Sequence, residues 1–491
     1  MRASGILMHI SSLPSRYGIG TMGKEAYQFI DFLVKAGQKY WQILPVGITS
    51  YGDSPYFSFS TFAGNPYFID LETLQEEGLL TEKECNLINW GDDPKNVDFG
   101  KMFDNRYDIL RIAYNRDKEI LTHPDFISFQ EKSKDWLDDF AFYMALKFNF
   151  SLISWQEWDE DIKKREPKAM ALFRNKLSDD INFFSYIQYK FFQQWNKLKA
   201  YANQNGIKII GDLPIYVAGD GSDTWSHPEL FLFDKNLKPI DVAGCPPDAF
   251  SATGQLWGNP IYRWEVHKET EFAWWIQRVK KAFELYDTVR IDHFRGFESF
   301  YAIPGKDKTA ENGEWRKGPG IEIFKALKKK LGKLDIIAED LGYLTDDVRK
   351  LLKDSGYPGM KVLQFAFDSR ENSDYLPHNY GNNCVVYTGT HDNETLAGWF
   401  QTAPKADVAF AKKYFRLNKR EGYNWGFIKE TLMTTADLAV IPIQDYLDLG
   451  CEARMNTPST IGNNWKFRVT PGALDDKLAA KIARVTRLYR R

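Results

Sequence analysis

Eight short apolar runs punctuate the chain. Each is rich in branched or aromatic residues and ends on a polar residue or glycine, the pattern of buried strands. They are G-I-L-M-H-I (5–10), Y-W-Q-I-L-P-V (40–46), I-K-I-I-G-D-L-P (207–214), T-V-R-I-D-H-F (288–294), L-D-I-I-A-E-D-L-G (334–342), M-K-V-L-Q-F-A-F-D (360–368), C-V-V-Y-T-G-T-H-D (384–392) and A-V-I-P-I-Q-D-Y-L (439–447). Segments with helical apolar spacing separate most of them. Residues 23–37 put Ala26, Phe29, Ile30 and Leu33 on one stripe and stop at Gly37, a common helix terminator. Similar helices are expected over 179–205, 269–286, 320–332, 345–356, 424–437 and 474–490. Strand and helix alternating in this way predict a parallel (β/α)8 barrel. A doubly wound sheet shares the alternation, but the Gly-rich phosphate turn it would carry after the first strand is here S-S-L-P-S-R-Y-G-I-G (11–20).

The spacing is uneven. Residues 47–206 lie between the second and third strands and 215–287 between the third and fourth, far beyond an ordinary βα connection. The expected organisation is therefore one α/β TIM barrel over 1–491, with large insertions in its βα loops. Such loops crown the C-terminal face, where barrel chemistry occurs. About 44 residues follow the eighth strand, enough for a loop and a helix, so no C-terminal β-sandwich is expected.

Composition narrows the partner. Lys plus Arg number 64 against 66 Asp plus Glu, a formal net charge of −2, which gives no electrostatic case for nucleic acid or an anionic membrane. Four scattered cysteines (Cys85, Cys245, Cys384, Cys451) form no C-x-x-C, and no window is long enough to span a bilayer. A reduced, cytoplasmic protein is the expectation. Aromatic residues make up 15% of the chain. Most belong in a large core, and the remainder suit ligands with one apolar face and a hydroxyl-rich edge, as sugars have.

Three of the runs end in carboxylates: Asp292, Glu339 and Asp392. On a barrel these ends converge at one rim, although an Asp at a strand end also serves simply to cap a turn. Strand alternation puts Arg290 on the same face as Asp292, and a guanidinium favours the ionised carboxylate that a nucleophile needs. An anionic Asp292 would in turn raise the pKa of Glu339. One charged and one protonated carboxyl group is the pairing that cleaves glycosidic bonds with retention. His293 and His391 each adjoin one of these acids and admit a metal reading. The seven histidines, however, show no H-x-H or H-E-x-x-H spacing, and neutral hydrogen bonding to substrate hydroxyls is the preferred role. His293 could equally fasten its loop.

T-V-R-I-D-H-F-R-G (288–296), I-I-A-E-D-L-G (336–342) and Y-T-G-T-H-D-N-E-T (387–395) resemble the nucleophile, acid/base and third-carboxylate motifs of the α-amylase clan. More closely, the chain resembles the 4-α-glucanotransferases (amylomaltases or disproportionating enzymes) of glycoside hydrolase family 77. H-I-S-S-L-P-S-R-Y-G-I-G (9–20), Y-G-D-S-P-Y-F-S-F-S-T-F-A-G-N-P-Y (51–67) and C-P-P-D-A-F-S-A-T-G-Q-L-W-G-N-P-I-Y (245–262) resemble that family's opening signature, cleft segment and acceptor-side loop. The resemblance implies Asp292 as nucleophile, Glu339 as acid/base and Asp392 as transition-state stabiliser. It implies that Arg290 holds Asp292, that His391 touches the same sugar and that Tyr56 stacks on it. Asp212 matches the family's third-strand acid, with turn stabilisation an equal alternative. Asp248, Phe250, Gln255 and Trp257 would line acceptor subsites, a structured Pro/Gly-rich loop with a buried Trp being the alternative. Asn464 would contribute from G-N-N-W, and Tyr51 would serve a second, surface glucan site or stand simply as a loop aromatic. The implied partners are maltooligosaccharides and amylose, starch- or glycogen-derived α-glucans, acted on by a monomer or weak homodimer without metal or organic cofactor. An α-1,4-glucan hydrolase using the same carboxylates is the alternative within the clan.

Overall fold

A computed structural model describes residues 2–50, 52–247, 251–342 and 344–491. In chain order the strands are β1 (Ala3–Leu7), β2 (Tyr40–Gln42), β3 (Lys208–Pro214), β4 (Asp241–Cys245), β5 (Gln255–Pro260), β6 (Thr288–Asp292), β7 (Ser299–Pro304), β8 (Glu314–Lys317), β9 (Ile336–Ala338), β10 (Gly359–Val362), β11 (Cys384–Tyr387) and β12 (Leu438–Pro442). One 8-stranded sheet runs β10-β11-β12-β1-β2-β3-β6-β9, and every ladder in it is parallel. The Ala338 amide donates to the Pro358 carbonyl at 2.9 Å and bridges the remaining gap between β9 and β10. These eight strands arise from the eight apolar runs, and the sheet they form is a (β/α)8 barrel.

The ladders are shorter than the runs that predicted them. The β2 ladder ends at Gln42, and Pro45 just beyond it has no N–H with which to continue it. Residues 363–367 turn into a 3-10 helix directly after β10. The apolar character persists because the rim itself is buried: Ile43, Leu44, Leu363 and Phe367 are all inaccessible.

The expected helices are found at Lys24–Lys35, Ser178–Gln204, Ala273–Leu285, Ile321–Leu331, Asp346–Ser355, Tyr423–Met433 and Asp476–Leu488. The third starts later than predicted. Glu271 and Phe272 take left-handed φ values of +50° and +60°, so a right-handed helix cannot pass through them, and Trp264–Glu269 forms a separate short helix. The 27-residue helix Ser178–Gln204 buries Phe183, Phe184, Tyr186, Ile187, Phe191, Phe192, Trp195 and Leu198, each large apolar side chain contributing about 1.5–3 kcal/mol. It packs chiefly against the helix Leu137–Asn149, and also against the helix Phe99–Arg116 and β3. A single apolar core thus runs from the barrel into residues 47–206.

A second sheet has no counterpart in the sequence reading. It is 4-stranded and antiparallel, in the order β5-β4-β7-β8, with its own small core of Val242, Tyr301, Ile303 and Ala310. Its strands come from both sides of β6 in sequence, so it stands over the C-terminal end of that strand. Among the described residues no helix is long and apolar enough to cross a membrane.

Candidate active site

Parallel register sets the site. Asp212 on β3 lies level with Arg290 on β6, and Arg290 lies level with Ile337 on β9. Side chains alternate, so Asp292, two residues beyond Arg290, faces the same way and meets Glu339, the residue that directly follows β9. The Glu339 amide still donates to the Ile291 carbonyl at 3.0 Å. On the opposite face of β3, Gly211 lets Tyr286 pack closely, because a Cβ there would fall 2.1 Å from the Tyr286 ring.

Arg290 is 3% exposed and serves two carboxylates. Its Nη1 donates to Asp212 Oδ1 and Oδ2 at 2.8 and 2.7 Å and approaches Asp292 Oδ1 at 2.9 Å. Asp212 is buried as well and accepts from the Tyr56 hydroxyl at 2.7 Å. Its side chain is thus engaged by Arg290 and Tyr56. Buried charges require such pairing.

Glu339 stands in a different field. Burial first, and the charge of Asp292 second, push its pKa from an ordinary 4.5 up to about 8, against the opposing pull of Arg290 and two backbone amides. Those amides are His293 N, donating to Oε2 at 2.6 Å, and Leu341 N, donating to Oε1 at 2.8 Å. At neutral pH Glu339 is therefore mainly the protonated acid. The first of these bonds explains the backbone of His293, which adopts a left-handed φ of +55°, a conformation that costs a non-glycine residue about 1 kcal/mol or more. The imidazole of His293 packs edge-on against Trp257 at 4.9 Å. Burial lowers its pKa to about 4, so it is neutral, and its buried Nε2 has no hydrogen-bond partner among the described residues.

Asp392 lies across the rim with its side chain 45% exposed. Its Oδ1 accepts from Asn456 Nδ2 at 2.6 Å and lies 3.4 Å from His391 Nε2. Its main-chain carbonyl accepts from Arg454 Nη2 at 2.8 Å. The His391 ring stacks on Tyr56 at 5.1 Å with 19° between planes, and Trp465 flanks both rings. Tyr56 thereby joins the Asp212–Arg290 pair to the Asp392 side. His9 lies behind His391, accepting from Leu44 N at 3.3 Å. Burial, then the nearby His391, lowers its pKa to about 3.

The remaining expected residues divide. Trp257, on β5 of the antiparallel sheet, reaches the site through His293, and its indole donates to Gln255 Oε1 at 3.1 Å. Asn464 is spent on its own loop: Oδ1 accepts from Thr457 N at 3.0 Å and Nδ2 donates to the Thr460 carbonyl at 2.9 Å. Tyr51, Asp248 and Phe250 lie outside the described residues. Sequence reasoning missed Arg454, Asn456, Trp465 and His9. The position of Arg454 and Asn456 in the rim loop after the last barrel strand was a usable signal. Among the described residues no three His, Cys, Asp or Glu side chains are grouped to hold a metal ion.

Taken together, the cleft presents an Arg-paired carboxylate and, one rung away, a carboxylic acid that keeps its proton at neutral pH. Such a pair can attack a carbon electrophile while protonating its leaving group.

Comparison with known proteins agrees. The family model described as 4-alpha-glucanotransferase, glycoside hydrolase family 77, matches residues 8–474. A 4-alpha-glucanotransferase of Clostridium butyricum is 51% identical over 490 residues, 99% of this chain and 100% of the relative. Amylomaltase from Streptococcus agalactiae, solved in complex with acarbose, superposes with a TM-score of 0.97 at 44% identity, with both chains covered completely. Amylomaltase from Corynebacterium glutamicum shares the fold, with a TM-score of 0.80 at 18% identity over 99% of this chain and 75% of that one. The chain belongs to the 4-alpha-glucanotransferases of glycoside hydrolase family 77.

Proposed function

We propose that the chain transfers a segment of a 1,4-α-glucan to the 4-hydroxyl of another glucan or of glucose by retaining double displacement. Glu339 donates its proton to the glycosidic oxygen while an oxygen of Asp292 attacks the anomeric carbon. The bond to the leaving glucan breaks, that glucan departs with a free 4-hydroxyl, and a glycosyl ester of Asp292 remains. An incoming 4-hydroxyl then attacks the same carbon and gives its proton to the Glu339 carboxylate, and Asp292 is released. Arg290 holds Asp292, and Asp392 and His391 bind hydroxyls of the reacting sugar. Tyr56 stacks on that sugar, and His293, Gln255 and Trp257 border the acceptor. Asp212 fixes Arg290.

The observation that carries this reading is the split environment of the two acids: Asp292 paired with Arg290 at 2.9 Å, and Glu339 raised to about 8. Neighbouring strands are about 4.8 Å apart, close to the separation of about 5–5.5 Å that retention requires. Maltooligosaccharides and amylose, starch- or glycogen-derived chains are the proposed substrates, in keeping with the acarbose complex of the Streptococcus agalactiae relative.

We also read the chain as one catalytic barrel with residues 47–206 and 215–287 inserted in it, and as a cytoplasmic monomer or weak homodimer. Free thiols at Cys85, Cys384 and Cys451 support a reducing compartment. Incubation with maltotriose alone tests the reaction. Glucose together with maltopentaose and longer chains is the expected product set. Glucose and maltose without longer chains would mark hydrolysis and overturn the reading.

A further inference from the structure

The third carboxylate is held differently from the other two. Asp292 and Glu339 are fixed by strands that continue through the barrel, whereas Asp392 lies five residues beyond the last ladder position of β11, Tyr387. No strand register reaches it. Its fixation comes from the segment 454–457, which runs alongside 391–394. Asn456 N donates to the His391 carbonyl at 3.0 Å. Arg454 Nη2 donates to the Asp392 carbonyl at 2.8 Å, and Arg454 Nε donates to the Asn456 carbonyl at 2.8 Å. Arg454 Nη1 also lies 3.5 Å from Glu394 Oε2. The segment is itself fastened by Trp465 N to the Met455 carbonyl at 2.7 Å and by Thr457 N to Asn464 Oδ1 at 3.0 Å.

We infer that Asn456 is a positioning residue for glucan transfer: by donating to Asp392 Oδ1 at 2.6 Å it selects one carboxylate orientation and turns Oδ2 toward the sugar. An Asp side chain has a broad, nearly two-fold terminal torsion, and this carboxylate is half exposed, so without a donor it would sample orientations that miss the substrate. A primary amide suits the task. It donates one hydrogen bond without adding charge beside a carboxylate whose ionised form must face the positive charge that develops in the transition state. Arg454 has a related part at the backbone, fixing the peptide that follows Asp392. The inference rests on the role proposed above for Asp392. It adds that this role is conferred by a loop remote in sequence and outside the barrel strands.

Steady-state transfer from maltotriose by the full chain tests this, with three variants run beside the parent. Asn456→Ala is expected to lower kcat at least tenfold while KM stays within threefold, because the bonds Asp392 makes to the ring strengthen in the transition state. Asn456→Asp places a second acid against Asp392, in surroundings that include His391, Arg454 and Glu394 and, across Tyr56, Asp212, Arg290 and Asp292. That variant works only while the pair shares one proton, so its activity profile is expected to lose its alkaline side relative to the parent. Asp392→Asn is the control for the underlying role. If it keeps near-parental turnover, the role of Asp392 itself is wrong. If it is inactive while Asn456→Ala stays within twofold of the parent in kcat and Asn456→Asp keeps the parental pH profile, the positioning inference alone is overturned. A merely structural asparagine would lower the melting temperature of Asn456→Ala without separating kcat from KM, and that result also overturns it.

Discussion

Glu339 has two obligations that pull apart. As the proposed proton donor it must keep its proton at neutral pH, and burial beside Asp292 does this by raising its pKa to about 8. The same burial makes its charged form unfavourable in the fold. An unfolded glutamate loses its proton near 4.5, the folded one near 8, so between these values the native state binds the extra proton. Stability then falls as pH rises through that window, by up to about 1.4 kcal/mol per pH unit from this group alone. Glu339→Gln removes the titration and the proton donor together. Transfer is expected to drop by three orders of magnitude or more. The melting temperature of the variant should gain on the parent steadily from pH 5 to pH 8.5. A difference in melting temperature that stays constant across that range would refute the assigned pKa. For the parent, activity should decline as pH rises through about 8. The positions of Asp292, Arg290 and Glu339 were legible because strand alternation and the barrel rim fix them without knowledge of neighbours. The job of the His293 amide was not, since a left-handed backbone leaves no trace in a residue type that usually avoids it.

Elements with many local cues were the ones the chain announced. The barrel strands declare themselves as branched apolar runs buried on both faces, and the helices as stripes closed by Gly or by caps such as Thr345 and Asp475. The antiparallel sheet does neither. β8 reads E-W-R-K and is largely exposed, and β4 reads D-V-A-G-C. β8 pairs only with the neighbouring β7, and β4 pairs with the neighbouring β5 and, across β6, with β7, so the sheet as a whole depends on one long-range ladder that no local pattern records. Yet that sheet presents Trp257 to the site. The indole braces His293, and the His293 amide braces Glu339, so the sheet is coupled to Glu339 through two contacts. Trp257→Ala is expected to slow transfer about tenfold and, by admitting water to the acceptor side, to raise the share of glucose formed without chain lengthening. Chromatography of maltotriose products measures both. An unchanged product ratio would remove Trp257 from the acceptor side and leave it a packing role.

At the scale of the whole molecule the two ends of the barrel carry different burdens. The C-terminal rim holds every carboxylate discussed above. The N-terminal end closes the seam between β12 and β1, and there Arg491 acts as a staple. Its Nε donates to the Leu432 carbonyl at 2.7 Å, Nη1 to the carbonyls of Ala3 and Ala436 at 3.0 and 2.9 Å, and Nη2 to that of Thr434 at 3.0 Å. Arg2 reaches two of the same carbonyls, those of Leu432 and Thr434, at 2.7 Å each. Burial lowers the pKa of Arg491 to about 10, so it stays charged at neutral pH, and its hydrogen bonds are of the stronger, charge-assisted kind. Barrel architecture was legible from the eight runs alone, but this closure was not, because it joins residues at opposite ends of the chain through backbone acceptors that have no sequence identity. Stability and catalysis should therefore separate by end. Arg491→Ala is expected to lower the melting temperature by several degrees, through a loss of about 2 kcal/mol or more, while kcat/KM measured well below the new transition stays within twofold of the parent. Should kcat/KM fall instead while the melting temperature holds, strain at the closed end would have to be reaching the rim through the β1 and β12 strands, and the division of labour between the two ends would be wrong.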